Sequence, residues 1–326
     1  MSLLEKVTSK LIKNITKTLS LNKFGKLPLW ERMFYVSFGT LLFVVLLNNA
    51  RNSLGMKEGF EQTGEFIVKK NAVEIYDEFY VSIYDDLVYN RGKNDCEIKI
   101  IKDITTFNSN SRVLDIGSGT GHHVSLLSET TKTVEGIDIS PAMVSKSQEN
   151  YPDCNYRKED ATNTMAVQQQ SFTHITCLYF TIYYVENKRA LLKNCYDWLM
   201  PGGYFIVHLV DRDNFDPILP AGNPFKMISA QKHAKERITS TVVMFDDYEY
   251  KSNFDMVPNE TIAVMNEEFK NRKNGSVRKN EHTIHIPLQR EIISMAKDVG
   301  LVLLDYEELI ECGYKDQYIY VLQKPK

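Results

Sequence analysis

The chain has 326 residues, of which 43% are hydrophobic and 25% charged, and a formal net charge of −3. This is the composition of a folded globular chain and excludes a disordered one; the near-neutral balance gives no global drive toward nucleic acid, and none is expected as a partner. The five cysteines, Cys96, Cys154, Cys177, Cys195 and Cys312, form no C-x-x-C pair, which speaks against a metal site and a disulfide framework and suits a reducing compartment.

At the start, Leu3, Val7, Leu11, Ile15 and Leu19 recur four apart with Lys6, Lys10, Lys13 and Lys17 between them. That spacing predicts a basic amphipathic segment over 1–32. No charge occurs between Arg32 and Arg51. At about 1.5 Å per residue the stretch 33–50 is long enough to cross a hydrocarbon core, so it reads as a transmembrane or membrane-associated helix, with Trp30 and Tyr35 at the interface. The long basic region and the lack of an A-x-A site disfavour a cleaved secretory signal, while a mitochondrial presequence stays open. Residues 51–70 read as a polar linker.

From 71 to 326 the pattern is that of one domain. Residues 71–104 are helical in periodicity and rich in tyrosine, at Tyr76, Tyr80, Tyr84 and Tyr89. Short apolar strands are predicted at 113–116, 134–137, 155–158, 174–178 and 204–209, with helices between them, including 141–150 and 188–198. Such alternation implies an α/β fold, a doubly wound and mostly parallel sheet. Residues 212–286 break the rhythm. They read as an antiparallel insertion, with a turn at Asn274 and Gly275, that covers the site. A helix at 288–299 and strands at 301–305 and 318–322 close the sheet.

The most informative stretch is the first of these strands, Val113, Leu114, Asp115 and Ile116, which runs into Gly117, Gly119 and Gly121 and then a helix. Glycines there let backbone amides approach a small ligand closely. Asp115 would repel a pyrophosphate, and His122 stands where a dinucleotide fingerprint needs its third glycine, so a nicotinamide oxidoreductase is disfavoured. Asp138 ends the next strand, placed to accept both ribose hydroxyls of a bound nucleoside; Ser140 ahead of Pro141 is the better helix cap. Asp160, after the third strand, is placed to accept from an adenine amino group. Tyr179, Phe180, Tyr183 and Tyr184 cluster at the carboxyl end of the sheet. Tyr184 and His208, at or just beyond strand ends, are the candidate catalytic residues. His122 and His123 open the helix after the glycine loop and are read as cover for the ligand. His282 and His285 lie on a strand pattern, so they point to opposite faces and read as lid residues.

Together with the Leu199 to Gly203 turn, these motifs cover most of 74–210 and resemble class I S-adenosylmethionine (SAM)-dependent methyltransferases. The segment from Ile83 to Asp86, followed by Arg91 and Lys93, is similar to the opening helix of small-molecule N-methyltransferases acting on amino sugars and glycine-like amines. The resemblance implies a Rossmann-like fold and SAM as cofactor. It implies a cofactor set of Tyr84, Asp115, Gly117, Gly119, Gly121, Asp138, Ile139, Asp160, Ala161 and Cys177, and a small-molecule methyl acceptor at nitrogen or oxygen. The aminosugar enzymes tend to carry histidine at the position of Tyr184 and tyrosine at that of Asp95. The Asn/Asp-Pro-Pro-Tyr signature of nucleic-acid and protein-amide enzymes is absent. A membrane-anchored, catalytically inactive SAM-binding protein is the alternative reading. The charge asymmetry around 33–50 places the N-terminus on the cytoplasmic side, whereas the cofactor and the cysteines favour a cytosolic catalytic domain. The expectation is therefore a membrane protein, single-pass or peripheral, tethered through its N-terminal segment with a cytosolic catalytic domain.

Overall fold

The computed structural model describes Pro28 and residues 66–222, 237–258 and 260–326. Its centre is a seven-stranded sheet in the order β11-β12-β6-β5-β2-β3-β4. The strands are β2 (Arg112–Ile116), β3 (Thr133–Asp138), β4 (Asn155–Lys158), β5 (Phe172–Cys177), β6 (Leu199–Val210), β11 (Val302–Glu308) and β12 (Gln317–Gln323). The first five are parallel, while β12 runs antiparallel to both β6 and β11. Both faces of a parallel sheet must be covered. Accordingly Val113, Leu114, Ile175, Phe205, Ile206 and Val207 are all buried.

Helices α1 (Ala72–Ile75), α2 (Glu78–Val88) and α3 (Arg91–Ile104) precede the sheet, and α4 (His122–Ser128), α5 (Pro141–Asn150), α6 (Thr181–Tyr184) and α7 (Lys188–Trp198) lie between its strands. Their starts follow from local chemistry. Asp77, Asn90, Ser140 and Asn187 each accept a backbone N–H from the first turn of α2, α3, α5 and α7, and Pro141 opens α5. Helix α8 (Gln289–Asp298) then packs on α7 before β11.

Between β6 and α8 lies a second sheet, β1-β10-β9-β8-β7, built from β7 (Ser240–Met244), β8 (Tyr248–Met256), β9 (Ile262–Asn271) and β10 (Val277–His285). Its edge strand β1 (Phe66–Lys69) comes from the far end of the chain and pairs parallel with β10. The strand period of two puts Tyr250, Phe254, Ala263, Met265, Phe269 and Ile284 on one buried face, packed with Tyr80 and Ile75.

Several expectations are corrected here. Residues 66–69, read as linker, form a strand. Cys96 on α3 and Cys312 after β11 are joined in a disulfide, with Cα atoms 5.8 Å apart, while Cys154, Cys177 and Cys195 are free. Nothing in local spacing signals a bridge between residues 216 positions apart, and the argument from unpaired cysteines to a reducing compartment falls with it. The membrane localisation is also corrected. Among the described residues no helix is long and apolar enough to cross a membrane, and the segments 1–32 and 33–50 on which it rested, including the expected hydrophobic helix, lie outside them.

The disulfide closes a long loop and so restricts the unfolded chain. Cys96→Ser is expected to lower unfolding free energy by about 2–4 kcal/mol, read as a denaturant midpoint that falls in the variant and in the reduced parent alike.

Candidate functional site

The loop after β2 is stitched to the end of β3. The amides of Gly117 and Ser118 both donate to the Ile137 carbonyl, at 2.8 and 3.0 Å. Asp138 finishes the stitch: its carboxylate accepts the Gly119 amide at 3.0 Å and the Ser140 amide at 2.9 Å. Gly117 has φ +69°, and a Cβ there would lie 2.4 Å from the Thr181 methyl group. Gly121 caps α4 with φ +91°, and a Cβ would meet the Tyr156 hydroxyl at 2.5 Å. Both positions thus require glycine on conformation and on space.

Above this loop is a cavity of about 480 Å³, at the carboxyl ends of β2, β3 and β5, where open α/β sheets take their ligands. Its size is that of a small-molecule site. Of the expected site residues, Tyr84, Asp115, Gly117, Gly119, Asp138, Ile139, Asp160, Ala161 and Tyr184 line it. Gly121 shapes the loop from outside the lining. Cys177 is fully buried at the end of β5, and burial pushes its thiol up, so it packs as a neutral group. His208 is the clearest departure. It is enclosed in β6, with Nδ1 donating to the Tyr179 carbonyl at 2.6 Å and Nε2 3.1 Å from the Gln317 side-chain amide. Burial pushes it down to about 4, so the ring is neutral. It braces Tyr179, whose φ of +53° is strained for a residue with a side chain, and faces no part of the cavity. A strand-end position in sequence does not reveal that β12 will cover it.

The walls divide by chemistry. Asp138 is pushed up by burial against its backbone donors. Beside it Ile139 leaves 41% of its surface exposed, an apolar side chain on the rim next to Asp160. Asp160 itself accepts both the amide and the hydroxyl of Thr162. Asp115, 2% exposed, accepts the Thr176 hydroxyl at 2.6 Å, and burial pushes its carboxyl up to about 6. Opposite stand aromatic rings. Tyr76 meets Tyr80, Tyr84 and Tyr184 edge-on, at 5.3, 6.0 and 5.9 Å between centroids. Burial raises all four phenols, so they are neutral. Helix α2 is tied over the loop by the Thr120 hydroxyl, which donates to Asp85 at 2.6 Å.

Sequence reasoning missed a buried charge cluster on the same wall. Lys93 and Glu97, one turn apart on α3, form an ion pair, and the His123 ring meets Glu97 at 2.9 Å. Burial alone would raise Glu97, but Lys93 and His123 outweigh it and hold the carboxyl at about 2. The i, i+4 spacing of Lys93 and Glu97 was the available signal. His122 stacks on Tyr89 at 3.9 Å and bonds Tyr151 at 2.6 Å, outside the aromatic wall. Among the described residues no group of His, Cys, Asp and Glu is arranged to hold a metal ion.

The residues present fit SAM: a held acid at the end of β3 for a ribose, an exposed apolar rim residue for a flat heterocycle, a carboxyl beside a glycine cradle for an ammonium, and neutral rings for a sulfonium. Comparison with known proteins agrees. Residues 113–203 match the methyltransferase domain family. Phosphoethanolamine N-methyltransferase of Plasmodium falciparum is 29% identical over 147 residues, 42% of this chain and 54% of that protein; the chain thus spans about half the length of this curated relative. A sugar N-methyltransferase of a Streptoalloteichus species has the same fold, with a TM-score of 0.57 at 16% identity, over 82% of this chain and all of that one. A SAM-bound amino pentose methyltransferase of Micromonospora echinaspora gives 0.51 at 17% identity, over 75% of this chain and 96% of that one. Over residues 113–203 the chain thus matches a methyltransferase domain, and it shares its fold with these two sugar methyltransferases.

Asp115 couples this site to stability. Its carboxyl titrates at about 6 in the folded chain against 3.8 ordinarily. The stability associated with the protonated form is therefore complete below pH 4 and is lost as pH rises through about 6. Asp115→Asn, which cannot ionise, is expected to be more stable than the parent by about 3 kcal/mol at pH 8 and equal to it near pH 3.5, measured by urea unfolding at both pH values.

Proposed function

We propose that the chain transfers a methyl group from SAM to a nitrogen or oxygen nucleophile of a small molecule held in the cavity. The observation that carries this reading is the Asp138 carboxylate, fixed by Gly119 and Ser140 amides on the wall of a cavity that also presents Asp115 and a tyrosine cage. SAM supplies an electrophilic methyl carbon on a positively charged sulfur, and transfer leaves a neutral thioether.

The residues divide the work of holding it. Asp138 would take the ribose hydroxyls; Ile139, Asp160 and Ala161 the adenine; Asp115, Gly117 and Gly119 the amino-acid end. Lys93, buried on the same wall, is placed to meet the carboxylate of that end. Tyr84, whose ring edge lies 3.9 Å from a Cβ built on Gly119, would close over the loop. The remaining task is alignment of nucleophile, carbon and sulfur, and a rigid, enclosed cage supplies it by removing translational and rotational freedom before reaction. The tyrosine faces favour the cationic ground state and the charge-sharing transition state alike, so their net contribution is one of orientation. An acceptor small enough for the cage is consistent with the phosphoethanolamine and sugar substrates in the relatives' names.

Asp138→Ala removes a charged hydrogen-bond acceptor for two hydroxyls. S-adenosylhomocysteine affinity is expected to fall about 100-fold, from the 1.5–3 kcal/mol that hydrogen bonds to charged groups contribute. Titration calorimetry reads the affinity. Methyl-labelled SAM, offered with phosphoethanolamine, an amino pentose and a catechol, reads the transfer. Unchanged affinity in the variant would refute the reading.

A further inference from the structure

The insertion presents its inner face to the tyrosine cage, and that face is not wholly apolar. On β10 the alternation turns Arg278, Asn280 and His282 inward; on β9 it turns Glu267 inward. Asn280 pairs directly with Glu267 in the sheet register, and His282 is its diagonal neighbour. Glu267 is 2% exposed and His282 1% exposed. A carboxyl this deep demands partners, and it has four. Oε1 accepts the hydroxyls of Tyr80 at 3.0 Å and Tyr250 at 2.8 Å; Oε2 accepts the Asn280 amide at 3.0 Å and His282 Nε2–H at 2.7 Å. Burial would raise Glu267, but the His282 ring, Asn280 and Tyr250 outweigh it, so the carboxyl stays below its ordinary value and ionised.

The donation to Glu267 fixes the imidazole tautomer. With the proton on Nε2, Nδ1 is the acceptor, and the Tyr184 hydroxyl lies 2.8 Å from it. Tyr184 lines the cavity and His282 does not. The rings of Tyr76 and Tyr80 enclose His282 edgewise or tilted, each at 6.0 Å. Beyond Asn280, the Arg278 guanidinium is paired with Asp77. No other charged group faces His282 among the described contacts.

Resting on the proposed methyl transfer, we propose that Tyr184, His282 and Glu267 form a proton relay that accepts the proton of the methyl acceptor. As the acceptor's nucleophilic atom forms its bond to carbon, its own bond to hydrogen breaks. That proton joins the Tyr184 oxygen while the Tyr184 hydroxyl proton passes to His282 Nδ1. The positive charge lost by the sulfonium reappears as an imidazolium against the Glu267 carboxylate. Tyr184 is the catalytic residue; His282 and Glu267 act through it. The relay solves a difficulty that Tyr184 alone would leave. Burial pushes its phenol up, so a free phenolate is scarce at neutral pH, whereas a neutral phenol that hands on one proton while taking another needs none.

The test uses the full chain and two readouts. The first is independent of turnover: nitrogen-15 histidine spectra of the chain without SAM. One histidine, assigned by its loss in His282→Gln, is expected as the Nε2–H tautomer with an unprotonated Nδ1 whose shift moves in Tyr184→Phe. An Nδ1–H tautomer would overturn the relay. The second is turnover with the acceptors named above. His282→Gln and Tyr184→Phe are expected to lose about 100-fold or more in kcat, with KM and S-adenosylhomocysteine affinity within twofold of the parent. Glu267→Gln, lacking the carboxylate that stabilises the imidazolium, is expected to lower kcat in the same way, again with KM unchanged. Parent-like kcat in His282→Gln or Tyr184→Phe would overturn the proposal. If the parent itself turns over no acceptor, it is the transfer reading that fails, and the tautomer still decides whether the relay is built.

Discussion

The carboxylate of Asp138 is the point on which the architecture turns. It sits where β3 ends, holds the glycine loop through Gly119 and starts the approach to α5 through Ser140. Three segments are registered by one side chain. Because its oxygens are already engaged with backbone donors, its direction is set before any ligand arrives, and pre-set acceptors lose little on binding. Gly117 and Gly121, packed against Thr181 and Tyr156, keep the backbone close enough for that arrangement to exist.

Around this point the cavity has two unlike halves. The parallel sheet supplies acids and backbone amides at strand ends, a surface suited to polar recognition. The insertion and α1–α2 supply phenols, an imidazole and a buried carboxylate. The second half is costly to build, since each polar group is desolvated, and it holds because the groups satisfy one another in an unbroken series from Asp77 through Arg278, Asn280 and Glu267 to His282 and Tyr184. Networks of this kind lose far more on deletion of one member than a single hydrogen bond contributes.

What could be read from the chain alone was whatever is encoded locally. Val113 to Gly121 declares a strand and a glycine turn within nine residues, and Ser140 with Pro141 declares a helix start, so β2, β3 and α5 fall where periodicity puts them. Period two also separated His282 from His285, the former buried and the latter not. Yet it could not say that the face of His282 would be sealed against Glu267 and Tyr184, since those partners are 15 and 98 residues away. The same limit explains Cys96 with Cys312, β1 with β10, and His208, whose cover comes from Gln317 on β12. The uncharged run at 33–50 illustrates the converse hazard: hydropathy has length but no partner, so it suggests a bilayer without testing one.

The guanidinium of Arg278 grips both oxygens of Asp77, at 2.8 and 2.9 Å, and also the carbonyl of Ile75. Asp77 caps α2, so this fork fastens the tyrosine-bearing α1–α2 segment to the inserted sheet. Parting those two surfaces would have to break the Asp77 pair and the Ile75 bond together. The rings of Tyr76 and Tyr80 and the inner face of the inserted sheet are thus held as one wall of the cavity, its spacing maintained by a single guanidinium.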